Sequence, residues 1–403
     1  MARSRQLFIE RFERHYAKVV VVAAVLLMLV PPLLFGWTFR AALYRSMIFL
    51  VVASPCALAA AMMPALLSAL STGARNGVLF KGSAFIETLG RVRAVAFDKT
   101  GTLTTGKPKV TELVVFDGGG EDLILTMAAA VESLSAHPLG RAIVTEARRR
   151  GLAIPDALNH QALVGKGARA LVAGREWRIG KPSLFDAVSE EILRARVALE
   201  AAGNTVVLVG DDRVRGLVAL RDTIRPEARE AIVALRRSGV RHVIMLTGDA
   251  EPTARAIASE AGIDEVFADL LPEDKVRVVE GLVHKFGLAA MIGDGVNDAP
   301  ALAAASVGIA MGVAGTDVAL ETADVVLTSD DLTKVAYAIT LGRRSLAVVK
   351  QNLVFALGVI VTLVVADLLG RINLPAGVVG HEGSTLLVTL NGLRLLGVRR
   401  RST

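Results

Sequence analysis

The sequence predicts membrane-spanning α-helices joined to an α/β domain with a doubly wound parallel sheet and an inserted α+β domain. Of the 403 residues, 53% are hydrophobic but only 4% are aromatic, which is typical of membrane spans beside globular mass. Three soluble segments, 92–104, 240–249 and 288–298, each have an apolar run followed by a polar turn with glycine. Such alternation of strand and helix predicts a parallel sheet. The segment 117–220 ends in TVVLVGDDRVRGLVAL, whose two β-rich runs predict a hairpin and a separate antiparallel sheet.

Long uncharged runs place the membrane spans at the two ends of the chain. The predicted spans are Val19–Gly36, Met47–Leu70, Leu353–Leu369 and, less apolar, Pro375–Val398. The first predicted domain, 1–74, contains an N-terminal arm and two spans. Residues 75–116 and 221–344 together form the predicted parallel-sheet domain, and residues 117–220 form the domain inserted into it. The last, 345–403, contains two spans and a basic tail. Lysine and arginine counts predict a multi-pass protein of the plasma (inner) membrane, with both termini and the soluble domains cytoplasmic.

Charge and cysteine content exclude several kinds of partner and site. The formal net charge of +7 comes largely from arginines at span edges and both termini. No basic stripe carries interleaved aromatic residues, so membrane lipid is an expected partner and nucleic acid is not. Cys56 is the one cysteine, so neither an intrachain disulfide nor a CxxC metal site can form. This usage favours a cytoplasmic soluble part.

The segment DKTGT, which begins at Asp98, is the strongest candidate for a catalytic site. An apolar run ending in Phe97 delivers Asp98 at the carboxyl end of a predicted buried strand, where open α/β sheets place their chemistry. A carboxylate on a tight glycine turn, among backbone N–H groups and hydroxyls, suits in-line attack on a phosphoryl group. The alternative is an aspartate that only caps the following turn.

Further residues downstream can complete a phosphoryl-transfer site. Asp294 and Asp298 stand four apart in GDGVND, a spacing that allows both carboxylates to converge on Mg²⁺ together with Asp98. Thr247 in LTGD and Lys275 in PEDK can bind phosphoryl oxygens. The alternatives are capping aspartates in a loop and a solvated run of charges.

Taken together and in this order, DKTGT, LTGD, PEDK and GDGVND resemble the phosphorylation domain of P-type ATPases, which has a haloacid-dehalogenase-like core. The resemblance implies phosphorylation of Asp98 by ATP, with Mg²⁺ as cofactor. Implied catalytic residues are Asp98, Lys99, Thr100, Thr247, Gly248, Asp249 and Lys275, and implied Mg²⁺ ligands are Asp98, Thr100, Asp294 and Asp298. Related phosphatases usually carry a second aspartate where this chain has Thr100, so a long-lived aspartyl phosphate is expected.

The insertion carries two motifs, SAHPLGRAI and GKG, that resemble the nucleotide-binding domain of heavy-metal P-type ATPases. The resemblance implies that Glu132, His137, Gly165 and Gly167 hold the adenine and ribose of ATP. The alternatives are a histidine at the start of a helix and an ordinary glycine turn.

Two membrane segments carry candidate ligands for a transported ion. Pro55 and Pro64 predict interruptions of the second span, with exposed carbonyls beside Cys56. Ser54-Pro55-Cys56 and HEGST in the last span resemble the SPC subgroup of metal pumps, which is associated with cobalt, zinc and ferrous iron. The implied ligands are Ser54, Cys56, His381, Glu382, Ser384 and Thr385. One thiolate with imidazole, carboxylate and hydroxyl suits a borderline divalent ion such as Co²⁺, Zn²⁺ or Fe²⁺. The alternatives are a packing cysteine beside a proline kink and an interfacial polar cluster.

The chain departs from the family pattern in having no TGE motif. The resemblance implies about four more spans and an actuator domain carrying TGE before the region matched here. We therefore expect either the C-terminal portion of a larger pump or a chain that works with a separate actuator-bearing chain, with slow turnover alone. The alternative functions are a membrane-tethered haloacid-dehalogenase-like phosphatase and a non-catalytic metal-binding membrane module.

Overall fold

The computed structural model describes residues 8–116, 118–135, 137–163, 165–295, 298–312 and 321–398. The chain forms two compact units, the first made of Met1–Arg91 with Tyr337–Thr403 and the second of Val92–Ala336. The predicted basic tail, from residue 399 onward, lies outside the described residues.

The helices and strands follow one another along the chain as the alternating pattern predicts for the soluble part. The helices are α1 (Phe8–Leu34), α2 (Phe39–Val52), α3 (Cys56–Arg75), α4 (Ser83–Arg91), α5 (Glu121–Glu132), α6 (Pro138–Arg149), α7 (Glu190–Ala201), α8 (Ala228–Arg237), α9 (Glu251–Ala261), α10 (Pro272–Phe286), α11 (Ala299–Ala304), α12 (Thr333–Leu368) and α13 (Leu374–Leu393). The strands are β1 (Val78–Phe80), β2 (Ala94–Asp98), β3 (Lys109–Val115), β4 (Ala157–Leu163), β5 (Gly167–Val172), β6 (Arg175–Gly180), β7 (Thr205–Gly210), β8 (Val214–Arg221), β9 (His242–Leu246), β10 (Glu265–Phe267), β11 (Ala289–Gly293), β12 (Val307–Met311) and β13 (Val325–Leu327).

The first unit holds the helices that can cross a membrane. Among the described residues, three helical segments are long and apolar enough to do so, namely Tyr16–Leu34, Phe39–Arg75 and Thr333–Leu368. The fourth predicted span forms α13, a helix of 20 residues, but it is not among these three. It lies close against α3, since a Cβ added at Gly392 would be 2.8 Å from the backbone nitrogen of Ala65.

The second span is interrupted once, at Pro55. α2 ends at Val52, and Pro55 stands at the N-cap of α3. Proline lacks an N–H and disfavours a helical conformation in the residue before it, which explains the break. Pro64 lies inside α3, which continues unbroken to Arg75, so the second predicted interruption does not form.

α12 begins at Thr333, well before the predicted third span at Leu353. Arg343, Arg344 and Lys350 interrupt the apolar run in the sequence, but charged side chains are compatible with a helix. The hydropathy pattern therefore located the apolar part of this helix and missed its first half.

The second unit contains the predicted parallel sheet, with strand order β13-β12-β11-β2-β9-β10. The three segments identified in the sequence form its centre, because β2 pairs with β11 on one side and with β9 on the other, both in parallel. All five residues of β2 and of β11 are buried. α10 and α11 cover one face through Val279, Leu282 and Leu302. The carboxyl ends of the three central strands consequently meet at one edge.

An antiparallel sheet with order β3-β8-β7-β6-β5-β4 forms the rest of the second unit. The predicted hairpin is present, with β7 paired to β8 from Thr205 to Gly210. α5 and α6 pack on one face of this sheet, and α7 packs on the other. β3, which ends at Val115, belongs to this sheet, so the sheet begins before the predicted domain boundary at residue 117.

Candidate active site

Asp98 lies at the carboxyl end of β2, in the centre of the parallel sheet. Its side chain is buried, and one carboxylate oxygen accepts a hydrogen bond of 2.5 Å from Lys275 Nζ. Burial raises the pKa of Asp98, whereas the charge of Lys275 opposes that shift and favours the ionised form; the net pKa is raised. Lys275 comes from the first turn of α10, which places a cation directly on the candidate nucleophile.

Lys99 and Asp249 form a second ion pair at the same edge of the sheet. Burial lowers the pKa of Lys99, but the charge and hydrogen bond of Asp249, together with the charges of Asp222 and Asp98, outweigh it, so the net pKa is raised and the ammonium group stays charged. Thr247 follows β9 and is buried, and its hydroxyl accepts a hydrogen bond of 3.1 Å from the N–H of Asp249. Gly248 is the middle residue of this turn. The sequence-predicted LTGD residues therefore lie beside the turn that follows Asp98.

Asp294 and Asp298 bring two further carboxylates to this edge. Asp298 is only 2% exposed, and its Oδ1 accepts a hydrogen bond of 2.8 Å from the N–H of Gly295. Its Oδ2 is buried and has no hydrogen-bond partner among the described residues. Asp294 lies against the loop after Asp98, because a Cβ on Gly101 would be 2.6 Å from Asp294 Oδ2. Gly101 also has a positive φ of 75°, so glycine is required there on both counts.

The three carboxylates interact strongly. Burial raises the pKa of Asp298 to about 7, and the charges of Asp98 and Asp294 add to this shift. Oxygen ligands with an excess of buried negative charge fit a hard divalent cation such as Mg²⁺. The predicted ligand Thr100 belongs to the same turn, between Lys99 and Gly101, with φ −77° and ψ 127°. By their chemistry these residues fit the predicted Mg²⁺ site, but the described side chains do not form a ready-made group of three metal ligands there.

Of the predicted nucleotide-binding residues, Glu132 and His137 lie close together. Burial lowers the pKa of His137, and the charge of Glu132 opposes this shift, with smaller contributions from Asp249 and Lys99. His137 caps α6, with Nδ1 accepting a hydrogen bond of 3.2 Å from the N–H of Leu139. Glu132 Oε2 is buried with no hydrogen-bond partner among the described residues. The structure gives His137 a helix-starting role, and its part in nucleotide binding stays a prediction.

Gly165 lies in the turn of the hairpin formed by β4 and β5, and Gly167 is the first residue of β5. Gly167 pairs with Gly180 of β6. A Cβ on Gly165 would be 2.8 Å from the side chain of Leu271, at the N-cap of α10. The hairpin therefore reaches the start of the helix that carries Lys275.

Comparisons with known proteins identify the family. A family model of haloacid dehalogenase-like hydrolases matches residues 92–306. A solved structure of the catalytic domain of the CPx-ATPase CopB-B is 31% identical, with a TM-score of 0.55, and the match covers 67% of this chain and 98% of that one. The chain belongs to the haloacid dehalogenase-like hydrolases and, within them, to the heavy-metal P-type ATPases.

Longer P-type ATPases match nearly the whole chain. A crystal structure of a zinc-transporting PIB-type ATPase in the E2.Pi state is 47% identical with a TM-score of 0.72, over 97% of this chain and 64% of that one. The zinc-transporting ATPase of Bacillus subtilis is 49% identical over 97% of this chain and 62% of its own length. The probable cobalt/nickel-exporting P-type ATPase of Mycolicibacterium smegmatis is 46% identical over 98% of this chain and 60% of its own. The chain thus spans less than two thirds of each of these relatives.

Asp222 is a residue of this P-type ATPase chain that sequence reasoning missed. It follows β8 and accepts hydrogen bonds from the hydroxyls of Thr104 at 2.5 Å and Thr105 at 3.2 Å. It also accepts from the N–H groups of Gly106 at 3.1 Å and Lys107 at 3.2 Å. Asp222 therefore fixes the chain just beyond the loop that carries Asp98. The available signal was its position directly after a strand, which is the same signal that identified Asp98.

The predicted ligands of the transported ion lie at two places in the first unit. Ser54 and Cys56 lie at the break between α2 and α3, with the Cys56 N–H donating to Ser54 Oγ at 3.4 Å. On α13, the hydroxyls of Ser384 and Thr385 both donate to the carbonyl of His381, at 2.7 and 3.1 Å.

The candidate ligands also differ in their exposure to solvent. His381 is buried, and its Nδ1 has no hydrogen-bond partner among the described residues, whereas Cys56 and Glu382 are exposed. Among the described residues of the first unit, no group of three His, Cys, Asp or Glu side chains is placed to hold a metal ion.

Proposed function

We propose that this chain accepts the γ-phosphoryl group of ATP on Asp98 and that this step drives transport of a divalent transition metal across a membrane. The observation that carries the proposal is the setting of Asp98. It is a buried carboxylate at a strand end, bonded to Lys275 and next to two further carboxylates. A buried cluster of this kind is costly without a cation, so its presence points to chemistry rather than to stability.

In the proposed step, a carboxylate oxygen of Asp98 attacks the γ-phosphorus of ATP and forms a P–O bond. The bond between this phosphorus and the bridging oxygen breaks, and ADP leaves with the electron pair. Lys275 and Thr247 bind the phosphoryl oxygens, and their donors favour the charge that develops there. Asp98, Asp294, Asp298 and Thr100 would hold Mg²⁺. When bound, Mg²⁺ neutralises charge on the phosphates.

The proposed nucleotide site consists of Glu132, His137, Gly165 and Gly167. The charges of Asp249 and Lys99 act on the pKa of His137, which supports this proposal because such interactions are short-range. His137→Ala should raise the ATP concentration needed for half-maximal phosphorylation without changing the maximal rate. An unchanged half-maximal concentration would assign His137 to helix capping alone.

The proposed transported ion is Co²⁺, Zn²⁺ or Fe²⁺, with ligands among Ser54, Cys56, His381, Glu382, Ser384 and Thr385. The printed names of relatives support a transition metal, since they specify zinc, cobalt/nickel and, for an Escherichia coli relative 48% identical over 98% of this chain and 53% of its own length, zinc/cadmium/lead. The three apolar helical segments fit a multi-pass protein. We place it in the plasma (inner) membrane, with the second unit in the cytoplasm.

The decisive experiment is labelling of the detergent-solubilised chain with γ-labelled ATP and Mg²⁺. We expect an acid-stable phosphoenzyme that hydroxylamine cleaves, as an acyl phosphate requires. Asp98→Asn should abolish the label, and Asp186→Asn, at an exposed surface position, is the matched control that should retain it. Label that persists in Asp98→Asn would exclude Asp98 as the phosphorylated residue.

A further inference from the structure

Arg225 binds the backbone of the loop that follows Asp98. Its Nε donates to the carbonyl of Thr102 at 2.8 Å, and a terminal nitrogen donates to the carbonyl of Gly101 at 3.1 Å. The Arg225 N–H also donates to the carbonyl of Leu103 at 2.9 Å. The Arg225 side chain is only 11% exposed. Three successive carbonyl groups of the loop therefore point towards one residue.

These contacts fix the orientation of the peptide units in the loop. In a planar trans peptide the C=O and the following N–H point in opposite directions. When Arg225 holds the carbonyls of Gly101 and Thr102, the N–H groups of Thr102 and Leu103 must point away from it. Peptide N–H groups in such turns are the natural ligands of phosphoryl oxygens. Arg225 does not bind Asp98, but it determines the shape of the turn in which the phosphoryl group would sit.

The same guanidinium group also binds the segment before α12. Its other terminal nitrogen donates to the carbonyl of Asp330 at 3.2 Å, and the nitrogen that binds Gly101 lies 3.5 Å from the Asp330 carboxylate. The next residue, Asp331, accepts a hydrogen bond of 3.0 Å from the N–H of Thr333, the first residue of α12. One side chain thus joins the phosphorylation loop to the start of the helix that contains the third apolar segment.

We propose that Arg225 is a positioning residue that holds the loop in its reactive shape and ties it to the first turn of α12. The proposal rests on phosphorylation of Asp98. Arginine suits this role because it carries five N–H donors in a fixed planar arrangement, and four of its contacts here use that arrangement. Lysine offers one mobile ammonium group and can keep the charge but not the set of contacts.

The first test compares the phosphorylation kinetics of Arg225→Gln, Arg225→Lys and the wild-type chain. Misplacement of reacting groups by about 1 Å costs up to roughly 100-fold in rate, so we expect the maximal rate of labelling to fall by roughly 10- to 100-fold in Arg225→Gln. The half-maximal ATP concentration should stay within about twofold, because no contact to the nucleotide site is removed. Arg221→Gln is the matched control, since Arg221 pairs with Glu260 on the surface with both side chains about half exposed.

The second test is amide hydrogen exchange of the same variants without ATP. Arg225→Gln should lose protection in two separate segments together, residues 99–104 and the first turn of α12, while β2 and β9 stay protected. Arg225→Lys should show a smaller change at the same places, and Arg221→Gln should show none. This arm uses the folded chain and decides the proposal even if Arg225→Gln proves unstable, because Arg225→Lys retains the charge.

The outcomes are distinct for the two proposals. Labelling of Arg225→Gln at the wild-type rate, or loss of protection in only one of the two segments, would overturn the role of Arg225. Absence of label in the wild-type chain would instead overturn phosphorylation at Asp98, and the exchange pattern would still show whether Arg225 joins the loop to α12.

Discussion

Replacing Asp298 by asparagine should stabilise the metal-free chain at alkaline pH. The pKa of Asp298 is raised from 3.8 to about 7 by burial and by the charges of Asp98 and Asp294. A difference of about 3 units corresponds to about 4 kcal/mol, since each unit is worth about 1.4 kcal/mol. The native state therefore binds the proton more tightly than the unfolded state, and stability is lost as the pH rises from about 4 through about 7. Asparagine has the same size, keeps the acceptor for Gly295 and does not ionise.

The assay is thermal unfolding of the two forms in EDTA and in Mg²⁺, at pH 4 and pH 8, which lie on either side of the range in which the stability is lost. In a unit of this size each kcal/mol moves the midpoint by about 2–4 °C, so the pH-dependent loss in the wild type has a ceiling of roughly 8–16 °C. Asp298→Asn should show little of that loss. Mg²⁺ at about 100 times its dissociation constant should raise the free energy of unfolding of the wild type by about 2.7 kcal/mol, and that of the variant by much less. Equal pH dependence, or equal stabilisation by Mg²⁺, in both forms would refute the assignment of Asp298 to a cation site.

Three further predictions concern other parts of the proposed sites. Lys275→Ala removes the cation from buried Asp98, which should cost about 3–5 kcal/mol of stability and move the onset of labelling to higher pH. Labelling of this variant at pH 7 to the same extent as the wild type would contradict the prediction. Cys56→Ala should weaken Co²⁺ or Zn²⁺ binding roughly tenfold or more by calorimetry, yet change stability by no more than about 0.5 kcal/mol because its side chain is exposed. Gly101→Ala should cost about 1–3 kcal/mol and raise the Mg²⁺ concentration needed for labelling, because its Cβ would collide with Asp294; an unchanged Mg²⁺ requirement would be evidence against that contact.

The parallel sheet was predictable because its signal is local and repeated. Each central strand is a short apolar run with a polar turn at its end. Strands buried on both faces of a parallel sheet have this sequence pattern. Since such turns must meet at one edge, Asp98, Thr247 and Asp298 could be grouped before any distance was known. Nothing in the sequence indicated the roles of Arg225 and Asp222, because their partners are backbone groups and threonine hydroxyls more than a hundred residues away. Composition and spacing carry no record of such contacts.

The membrane part was less predictable for a different reason. Hydropathy detects apolar segments, and a helix that continues beyond its apolar segment, such as α12 with its first half, leaves no apolar signal there. At Pro64 the sequence predicted a break, but the helix continues through it. Proline removes one hydrogen bond, yet neighbouring helices can keep a membrane helix intact. The candidate ligands at Cys56 and His381 lie on different helices, so their separation depends on helix packing that the sequence does not encode locally.

Asp222 has a consequence for how the antiparallel sheet is joined to the rest of the second unit. The chain leaves the parallel sheet through residues 104–107 and returns to it just after β8. Asp222 binds the outgoing segment from the returning one, and the N–H of Thr105 donates to the carbonyl of Thr223 at 2.9 Å, so the two connections run side by side as a short paired segment. We expect the inserted domain to move towards and away from Asp98 about this paired segment, so that the proposed nucleotide site near His137 approaches Asp98 along one path.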